Sequence, residues 1–307
     1  MAEPTNGPAT AVAARRGAPG NGSAAGTDVD RELSGLDALE LALPPAPSAA
    51  RRIFDGAWPK VAAIVIALLL WQLVAWSGWK PTYLLPGPAK AFRALWNARS
   101  ALLSGAGTTL THGVEFYLIA LALGTVIAVV ITQSRVVRTA VAPILSGLQT
   151  MPSVAWVPFA ILLFGVGTAR PIMFVAILGA TPAIAIGTIS GIDAVPPSLL
   201  RVGRILGTRG IGHYRYVVLP AALPGYVAGM KQGWAFLWRS LMAGELIAQV
   251  PGHADLGMLL SQYQDLSRSA DVIATMLIIL AIGLIMDTVV FSRLEQSVLR
   301  RRGLTTD

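Results

Sequence analysis

Three charged residues lie inside one apolar stretch of the sequence, and they are the residues best suited to act on a small polar molecule. Lys231, Arg239 and Glu245 all fall within residues 221–247. A charge at the centre of a bilayer costs about 2.5–3.5 kcal/mol on insertion scales, so such side chains usually face a cavity or a charged partner. Arg239 is the deepest of the three, and its guanidinium group could meet an anion.

The spacing of the neighbouring residues predicts a shared helix face. Lys231, Trp238 and Glu245 recur at i, i+7 and i+14, so a helix would place them on one side. That side could line a pathway for a solute. In the alternative, Lys231 and Glu245 extend towards the two membrane interfaces, or Glu245 forms a structural ion pair with Arg239. The residues alone leave these alternatives open.

The sequence has no pattern typical of an enzyme or a metal site. It contains no cysteine, which excludes a thiol nucleophile, a disulfide and a thiolate metal site. Its three histidines, His112, His213 and His253, share no ligand spacing. It also lacks the Gly-x4-Gly-Lys-Ser/Thr loop that binds nucleotide phosphates. We therefore expect no enzyme activity, no metal ion and no cofactor, and any ATP hydrolysis must come from another chain.

The composition is that of an integral membrane protein. Of the 307 residues, 54% are hydrophobic and only 13% are charged, whereas a soluble domain carries about 25% charged residues. Residues 1–55 differ, because they are mostly small and polar and have no apolar period. Such a segment cannot bury enough surface to offset its ordering entropy. We expect residues 1–55 to form a disordered cytoplasmic tail and residues 56–303 to form the membrane domain.

The membrane domain is predicted to be all-α with six transmembrane helices. A span needs about 20 apolar residues to cross roughly 30 Å of hydrocarbon, and the apolar runs here are too long for barrel strands. An amphipathic interfacial helix is expected to follow Leu85-Pro86-Gly87-Pro88, between the first two spans. The six predicted spans are 58–79, 105–133, 140–165, 171–190, 221–247 and 271–291.

The positions of Lys and Arg predict the orientation of these spans. With the N-terminus in the cytoplasm, thirteen basic residues fall in inside segments and six in outside segments. Cytoplasmic loops are enriched in basic residues, so both termini are expected in the cytoplasm. The same asymmetry accounts for the net charge of +8 without any binding of nucleic acid.

The predicted cytoplasmic loop 191–220 contains a short amphipathic helix. Pro196-Pro197 can begin it, because proline is tolerated in the first helical turn. Over Ser198–Gly207, an apolar stripe lies opposite a basic one. Such a helix could lie on lipid headgroups or dock in a groove of a soluble partner. The apolar residues are Leu199, Val202 and Leu206, and the basic residues are Arg201 and Arg204.

This loop resembles the EAA loop of binding-protein-dependent ABC importer permeases. The family motif reads Glu-Ala-Ala-x3-Gly-x9-Ile-x-Leu-Pro, and the corresponding residues here begin Arg201-Val202-Gly203. They continue with Gly207, Val217, Leu219 and Pro220 at the same spacing. Val replaces Ile conservatively, and Arg201 stands where the family prefers Glu. The resemblance implies that Gly207 allows close approach to the backbone that follows it or to the partner.

Other segments resemble the aliphatic sulfonate, taurine and nitrate subfamily, over roughly residues 58–303. The chain departs at Thr109–His112, where the subfamily has Ser-Leu-x-Arg, and this departure leaves the substrate open. The matching segments are Leu85–Pro88, Met151–Pro158, Phe164-Gly165, Leu219–Gly229, Glu245, Leu256-Gly257 and Leu294–Leu304.

The resemblance implies an ABC importer permease fold of type I, in the plasma membrane of a bacterium. The helix Ser198–Gly207 would then be the coupling helix that seats in an ATPase subunit. The implied partners are a dimer of ATP-binding subunits, a second permease chain (most simply a homodimer), an extracytoplasmic solute-binding protein and membrane lipid. The implied coupling residues are Leu199, Leu200, Arg201, Arg204, Leu206, Gly207, Leu219 and Pro220.

The implied function is ATP-driven import of a small anion, with an aliphatic sulfonate or taurine as first choice. Nitrate, bicarbonate or a small heterocycle are alternatives on the same machinery. The expected pathway residues are Lys231, Trp238, Arg239 and Glu245. A secondary transporter working alone is a remote alternative, because such proteins often show two matching halves and the sequence shows no such symmetry.

Overall fold

A computed structural model describes residues 49–252 and 254–301, and every regular element within them is helical. Short 3₁₀ or π-helical segments cover Ser153–Ala155, Tyr214–Val218 and Met286–Phe291. The α-helices are α1 (Ala49–Trp76), α2 (Pro88–Asn97), α3 (Arg99–Thr132), α4 (Arg135–Thr150), α5 (Trp156–Phe164), α6 (Arg170–Asp193), α7 (Pro197–Ile205), α8 (Gly210–His213), α9 (Leu219–Ile247), α10 (Leu256–Asp265), α11 (Ser269–Ile285) and α12 (Ser292–Arg300).

The chain divides into two units within α1, one ending at Val65 and the other beginning at Ile66. The first unit contributes only helical residues from 49 onward to the described structure. The tail predicted for residues 1–55 therefore lies outside the described residues up to position 48. Its last seven residues, 49–55, form the first turns of α1 instead of a disordered segment.

Four helices in the described ranges are long and apolar enough to cross a membrane. They cover Trp58–Trp76, Arg99–Thr132, Arg170–Asp193 and Ser269–Arg300, the last including a π-helical segment. Helix α9 has 29 residues, but its polar side chains leave it outside this group. The structure thus supports the all-α membrane fold, with α9 as a more polar helix than the predicted span 221–247 suggested.

The third predicted span, 140–165, is broken. Helix α4 and the helical residues Ser153–Phe164 together have the length of one span, but they meet at an angle of 93°. Met151 at the end of α4 has an extended backbone, with ψ of 131°. Pro152 explains this conformation, because a proline has no N–H to donate and its ring disfavours a helical residue before it.

The core of the second unit lies where α6 packs against α3 and α9. Ile184 of α6 and Leu237 and Leu241 of α9 are completely buried there. A Cβ atom built on Gly124 of α3 would lie only 2.9 Å from Ile184 Cβ. Because the interior is closely packed, this group of helices forms the support for the polar side chains described below.

Two pairs of glycines let α6 and α9 touch through their backbones. A Cβ atom on Gly187 would lie 2.2 Å from the Cα atom of Gly229, and one on Gly225 would lie 2.3 Å from the Cα atom of Gly191. Glycines four residues apart share one helix face, so each helix presents a smooth strip to the other. We call these two pairs the glycine seam.

The interfacial segment begins as the sequence predicts. Helix α2 starts at Pro88, and Gly87 precedes it in an extended conformation. The indole Nε1 of Trp71 donates a hydrogen bond of 3.1 Å to the Pro86 carbonyl oxygen. The Leu-Pro-Gly-Pro turn is therefore attached to the second half of α1.

Candidate functional site

The loop between α6 and α9 contains the predicted amphipathic helix as α7. The backbone N–H of Gly207 donates to Arg204 O, and that of Thr208 donates to Gly203 O, both at 3.1 Å. These are the two bonds of a Schellman motif, whose C′ residue takes a left-handed conformation. Gly207 occupies that position with φ of +81°, where glycine has no steric penalty.

Gly207 is required for its backbone conformation and not for close packing within this chain. A Cβ atom built on Gly207 would meet nothing within 4 Å among the described residues. The expected close approach to the following backbone is therefore wrong at this position. It occurs at Gly203 instead, where a Cβ atom would lie 2.8 Å from Val217 Cγ2 and 3.0 Å from His213 Cε1.

A side-chain bridge joins α7 to the segment that leads into α9. Thr208 Oγ1 donates to the Gly203 carbonyl oxygen at 2.7 Å and lies 3.0 Å from His213 Nδ1. Because a hydroxyl group has one proton to donate, Thr208 can make both hydrogen bonds at once when His213 carries its proton on Nδ1. The residues after His213 form the π-helical segment 214–218, and α9 follows directly. We call Gly203, Thr208 and His213 the loop clasp.

The outer side of α7 is an apolar surface with a basic rim. Leu206 is 77% exposed and Ile205 is 83% exposed, although both are large apolar residues. Leu199, Val202 and Leu219 are also exposed, as are Arg201 and Pro220, while Leu200 is half-buried. Arg204 Nε donates to the Leu200 carbonyl oxygen at 3.3 Å. Exposed apolar side chains grouped in this way are typical of an interaction surface.

The four residues expected to line a pathway lie on different sides of α9. Lys231, Trp238 and Glu245 share a side, but that side is packed against other helices. Glu245 is completely buried and Trp238 is 8% exposed. Arg239 lies on another side and is exposed. The structure therefore brings only Arg239 of this set to an open surface.

Glu245 is held in a buried network at the end of α9. Thr109 Oγ1 and the Gly257 N–H donate to Glu245 Oε2 at 2.9 and 3.2 Å. The Leu256 N–H in turn donates to Thr109 Oγ1 at 2.9 Å, and the carboxyl group of Glu245 also interacts with that of Asp255. Glu245 thus anchors the first turn of α10, whose N–H groups have no partner within their own helix.

Lys231 is paired with polar side chains of the π-helical segment Met286–Phe291 and of α12. Its Nζ atom donates to Ser292 Oγ at 3.1 Å and lies 3.6 Å from both Asp287 Oδ1 and Glu295 Oε2. Asp287 lies in a π-helical segment, which inserts an extra residue into the helix. Two carboxylates therefore neutralise Lys231.

Arg239 forms no ion pair with Glu245 among the described residues. Its Nε atom donates to the Ala235 carbonyl oxygen of its own helix at 3.0 Å. Its guanidinium carbon lies 4.8 Å from the ring centroid of Phe236. These contacts leave the guanidinium group with donors that remain available to a ligand.

Arg239 borders a cavity of about 400 Å³ at the break between α4 and α5. Ligand pockets typically have volumes of about 300–1,000 Å³. Ser240 also lines the cavity, and its buried hydroxyl has no hydrogen-bond partner in the described part of the chain. The other polar residues that line it are Gln149, Thr150 and Ser153.

The sequence did not identify these additional polar residues. Gln149, Thr150 and Ser153 belong to the third predicted span, and no charge distinguishes them there. The signal available was Pro152, which indicates a break that turns the flanking residues towards a cavity. With a guanidinium group and several hydroxyl or amide groups around it, the cavity has the donors required to bind a small anion.

Comparison with known proteins gives one consistent family. Residues 120–298 match the family described as the binding-protein-dependent transport system inner membrane component. The riboflavin transport system permease protein of Chloroflexus aurantiacus is 30% identical, over 66% of this chain and 76% of that protein. A Bacillus subtilis protein named as an aliphatic sulfonates transport permease is 27% identical, over 78% and 86%. The bicarbonate transport system permease protein of Synechococcus elongatus is 27% identical, over 77% and 88%.

A solved structure has the same fold. A permease chain of the inward-facing MetNI methionine ABC transporter superposes with a TM-score of 0.56 and 22% identity, and the match covers 66% of this chain and 98% of that chain. The family match begins within α3 and ends within α12, and it includes the loop with α7, the glycine seam and the Arg239 cavity. The chain belongs to the family of binding-protein-dependent transport system inner membrane components, and it is the permease subunit of an ABC importer.

Proposed function

We propose that this permease imports a compact anion, with an aliphatic sulfonate or taurine as the first candidate. The observation that supports this proposal is Arg239, whose guanidinium group is exposed on α9 beside a cavity of about 400 Å³. A cation in a membrane-spanning region is costly unless it has a function or a partner. A sulfonate group would provide that partner, since its oxygens accept the hydrogen bonds that a guanidinium group donates.

The relatives support the substrate class without deciding among its members. The names of two relatives give aliphatic sulfonates and bicarbonate as their substrates, and both are small and anionic. The third names riboflavin, so a heterocycle is the second candidate. Arg239 favours the anion, because burying an uncharged ring beside an unpaired guanidinium group would leave that charge without compensation.

The energy for transport would come from ATP-binding subunits that bind the coupling helix. On this proposal Leu199, Leu206 and Ile205 of α7 enter a groove of such a subunit, and Arg201 and Arg204 contact its rim. Apolar anchors at the centre with charged groups around them are the usual arrangement of a protein interface. The loop clasp would then carry movement of the subunit from α7 into α9.

We further propose the remaining parts of the assembly. Two copies of this chain would enclose the pathway, and a solute-binding protein would deliver the substrate from outside. Both termini would lie in the cytoplasm, with loop 191–220 on the same side, and the distribution of Lys and Arg supports this orientation. Residues 1–48 would then be a cytoplasmic tail that is not needed for transport.

The test is ATP-driven uptake by the purified complex in proteoliposomes. The full chain is co-expressed with its ATP-binding subunit and solute-binding protein, and uptake of labelled taurine, nitrate, bicarbonate and riboflavin is measured with and without ATP. We expect ATP-dependent uptake of an anion and co-purification of the ATP-binding subunit. ATP-dependent uptake of riboflavin alone would reject the anion, and uptake by this chain without any ATP-binding subunit would support a secondary transporter.

A further inference from the structure

One side of α9 is open but is not suited to lipid. Ala228, Gln232 and Arg239 are all exposed and recur at helical spacing. The exposed residues of α3 include large apolar ones, such as Leu118 and Val126. Amide and guanidinium groups facing hydrocarbon would lose the hydrogen bonds that they make in water. This side of α9 therefore faces water or another polar surface.

A second cavity, of about 310 Å³, lies along the same side of α9. Ala228 and Gln232 line it together with the glycine seam, and it extends along α6 from Ala183 to Ala194. Ala194 directly follows the last residue of α6, in the loop that carries α7. The second cavity thus leads from the middle of α9 towards the loop that carries α7.

Gln149 is the residue that the two cavities have in common. It lines the cavity that contains Arg239 and also the cavity that contains Gln232. It lies in the last turn of α4, two residues before the break at Met151. A change in the 93° bend would therefore move Gln149 relative to α9, and with it the junction between the cavities.

We propose that Gln149 and Gln232 form the onward path for the substrate from the Arg239 cavity, and that Gln149 controls the passage between the two cavities. This inference rests on the proposed function and adds the route and the residues along it. An anion bound only by a guanidinium group would leave slowly. Transport requires sites that bind strongly enough to admit a solute and weakly enough to release it.

Glutamine side chains meet that requirement for an oxyanion. Each carries an NH2 group that donates two hydrogen bonds and has no charge. An anion moving from Arg239 to Gln149 and Gln232 would keep hydrogen-bond donors around it while its electrostatic attraction falls. An amide also has a carbonyl oxygen that can accept from a cation, so the preference for an anion comes from the charge of Arg239. The glutamines provide donors along the path that release the anion more easily.

The first experiment uses the absence of cysteine from the sequence. Single variants Gln232→Cys and Ala228→Cys, in the complex with its ATP-binding subunits, are treated with a negatively charged, membrane-impermeant methanethiosulfonate reagent. Matched controls are Leu118→Cys and Leu280→Cys, at exposed apolar positions. We expect labelling at 228 and 232 to be at least about tenfold faster than in the controls, because thiolates form in water and not in lipid. Equal rates would overturn the proposed path.

The second experiment measures ATP-dependent uptake by Gln149→Leu and Gln232→Leu. We expect each to lower uptake of the anion roughly tenfold, the effect of losing one hydrogen bond to a charged group, while the ATP-binding subunit still co-purifies. Gln262→Leu, at an exposed position on α10, should transport normally. Normal uptake by both path variants would overturn the inference while leaving the proposed function intact. Failure of the wild-type complex to transport any anion would instead reject the proposed function, whatever the labelling pattern.

Discussion

Glu245 and Thr109, which are 136 positions apart, are joined by a buried hydrogen bond of 2.9 Å. Through it α3, α9 and the start of α10 meet at one point, because Thr109 also accepts from the Leu256 N–H and Glu245 from the Gly257 N–H. A Cβ atom on Gly257 would lie 2.4 Å from Glu245 Cβ, so the two backbones are close as well. Glu245 is thus a structural residue of the fold.

Replacing Glu245 should therefore destabilise the fold, since its role is structural and it does not line the proposed pathway. Glu245→Ala leaves Thr109 and the Gly257 N–H without their acceptor, at a cost of about 1–3 kcal/mol for a buried polar group. Glu245→Gln should cost less, since its amide oxygen still accepts. Thermal unfolding of the detergent-solubilised chain measures the difference, with Glu115→Ala at an exposed position of α3 as the control. Equal unfolding temperatures for all the chains would contradict the structural role.

The glycine seam should not tolerate a side chain. Gly229→Leu would force α6 and α9 apart, and inserting extra carbon atoms into a packed interior typically costs about 1–3 kcal/mol. Gly107→Leu in α3 is the matched control, because a Cβ atom there would meet nothing within 4 Å. We expect reduced yield and a lower unfolding temperature for the first variant only. The prediction fails if both variants unfold at the same temperature.

Gly207 could be needed for its left-handed backbone or for the absence of a side chain, and two variants separate these requirements. Asparagine tolerates a positive φ better than other residues with a side chain, whereas a β-branched residue tolerates it poorly. Gly207→Asn should therefore retain the ATP-binding subunit better than Gly207→Val in a pull-down from detergent. If both variants lose the subunit completely, the partner itself approaches Gly207, as the family resemblance implied.

Thr208 should affect the efficiency of coupling. Thr208→Val removes the hydroxyl that joins Gly203 to His213 and keeps the shape of the side chain. We expect the ATP-binding subunit to remain bound and ATP hydrolysis to continue, while the amount of solute transported per ATP falls several-fold. Thr208→Ser should restore the ratio. Thr139→Val is the control, since Thr139 bonds only its own helix, and an unchanged ratio in Thr208→Val would show that the clasp has no part in coupling.

Arg239 should influence flux without influencing folding. Its hydrogen bond to the Ala235 carbonyl oxygen and its contact with the Phe236 ring both lie within α9, so Arg239→Ala removes no hydrogen bond or ring contact between helices. Uptake should fall at least about tenfold, which corresponds to the free energy of one hydrogen bond to a charged group. Arg239→Lys should recover part of it, because lysine keeps the charge but not the planar pair of donors. Normal uptake by Arg239→Ala at a normal membrane level would exclude it from the pathway.

The coupling loop could be predicted well from the sequence because its determinants are local. A pair of prolines begins α7 and a glycine follows its end. Between them, apolar and basic residues recur with the period of a helix. The position of the interfacial helix α2 was predicted for the same reason. The open space beside Gly207 and the close contacts of Gly203 could not be predicted. Gly203 meets residues 213 and 217, which approach it only after the loop has folded.

The open side of α9 was not predicted, and the reason is physical. Helical periodicity groups Lys231, Trp238 and Glu245 correctly, but it does not say which side other helices will cover. Here the packing of α10 and α12 buries that side and leaves Arg239 and Gln232 open. The sequence also predicted one span over 140–165 and not the 93° break at Pro152. A proline inside an apolar run indicates a kink, but the angle of the kink depends on tertiary contacts.

The glycine seam also determines where this protein can bend. Helices in contact through their backbones have no side-chain rotamers that could rearrange to let one slide past the other, so α6 and α9 should behave as a single rigid body during the transport cycle. The rotation must then be absorbed by backbone outside the seam. The break at Met151-Pro152, which adjoins the Arg239 cavity, and the left-handed turn at Gly207, which follows α7, are two positions where the backbone could absorb it. On the proposed function, we expect the motion that alternates access to use the φ and ψ angles of these positions, which the sequence marks with proline and glycine.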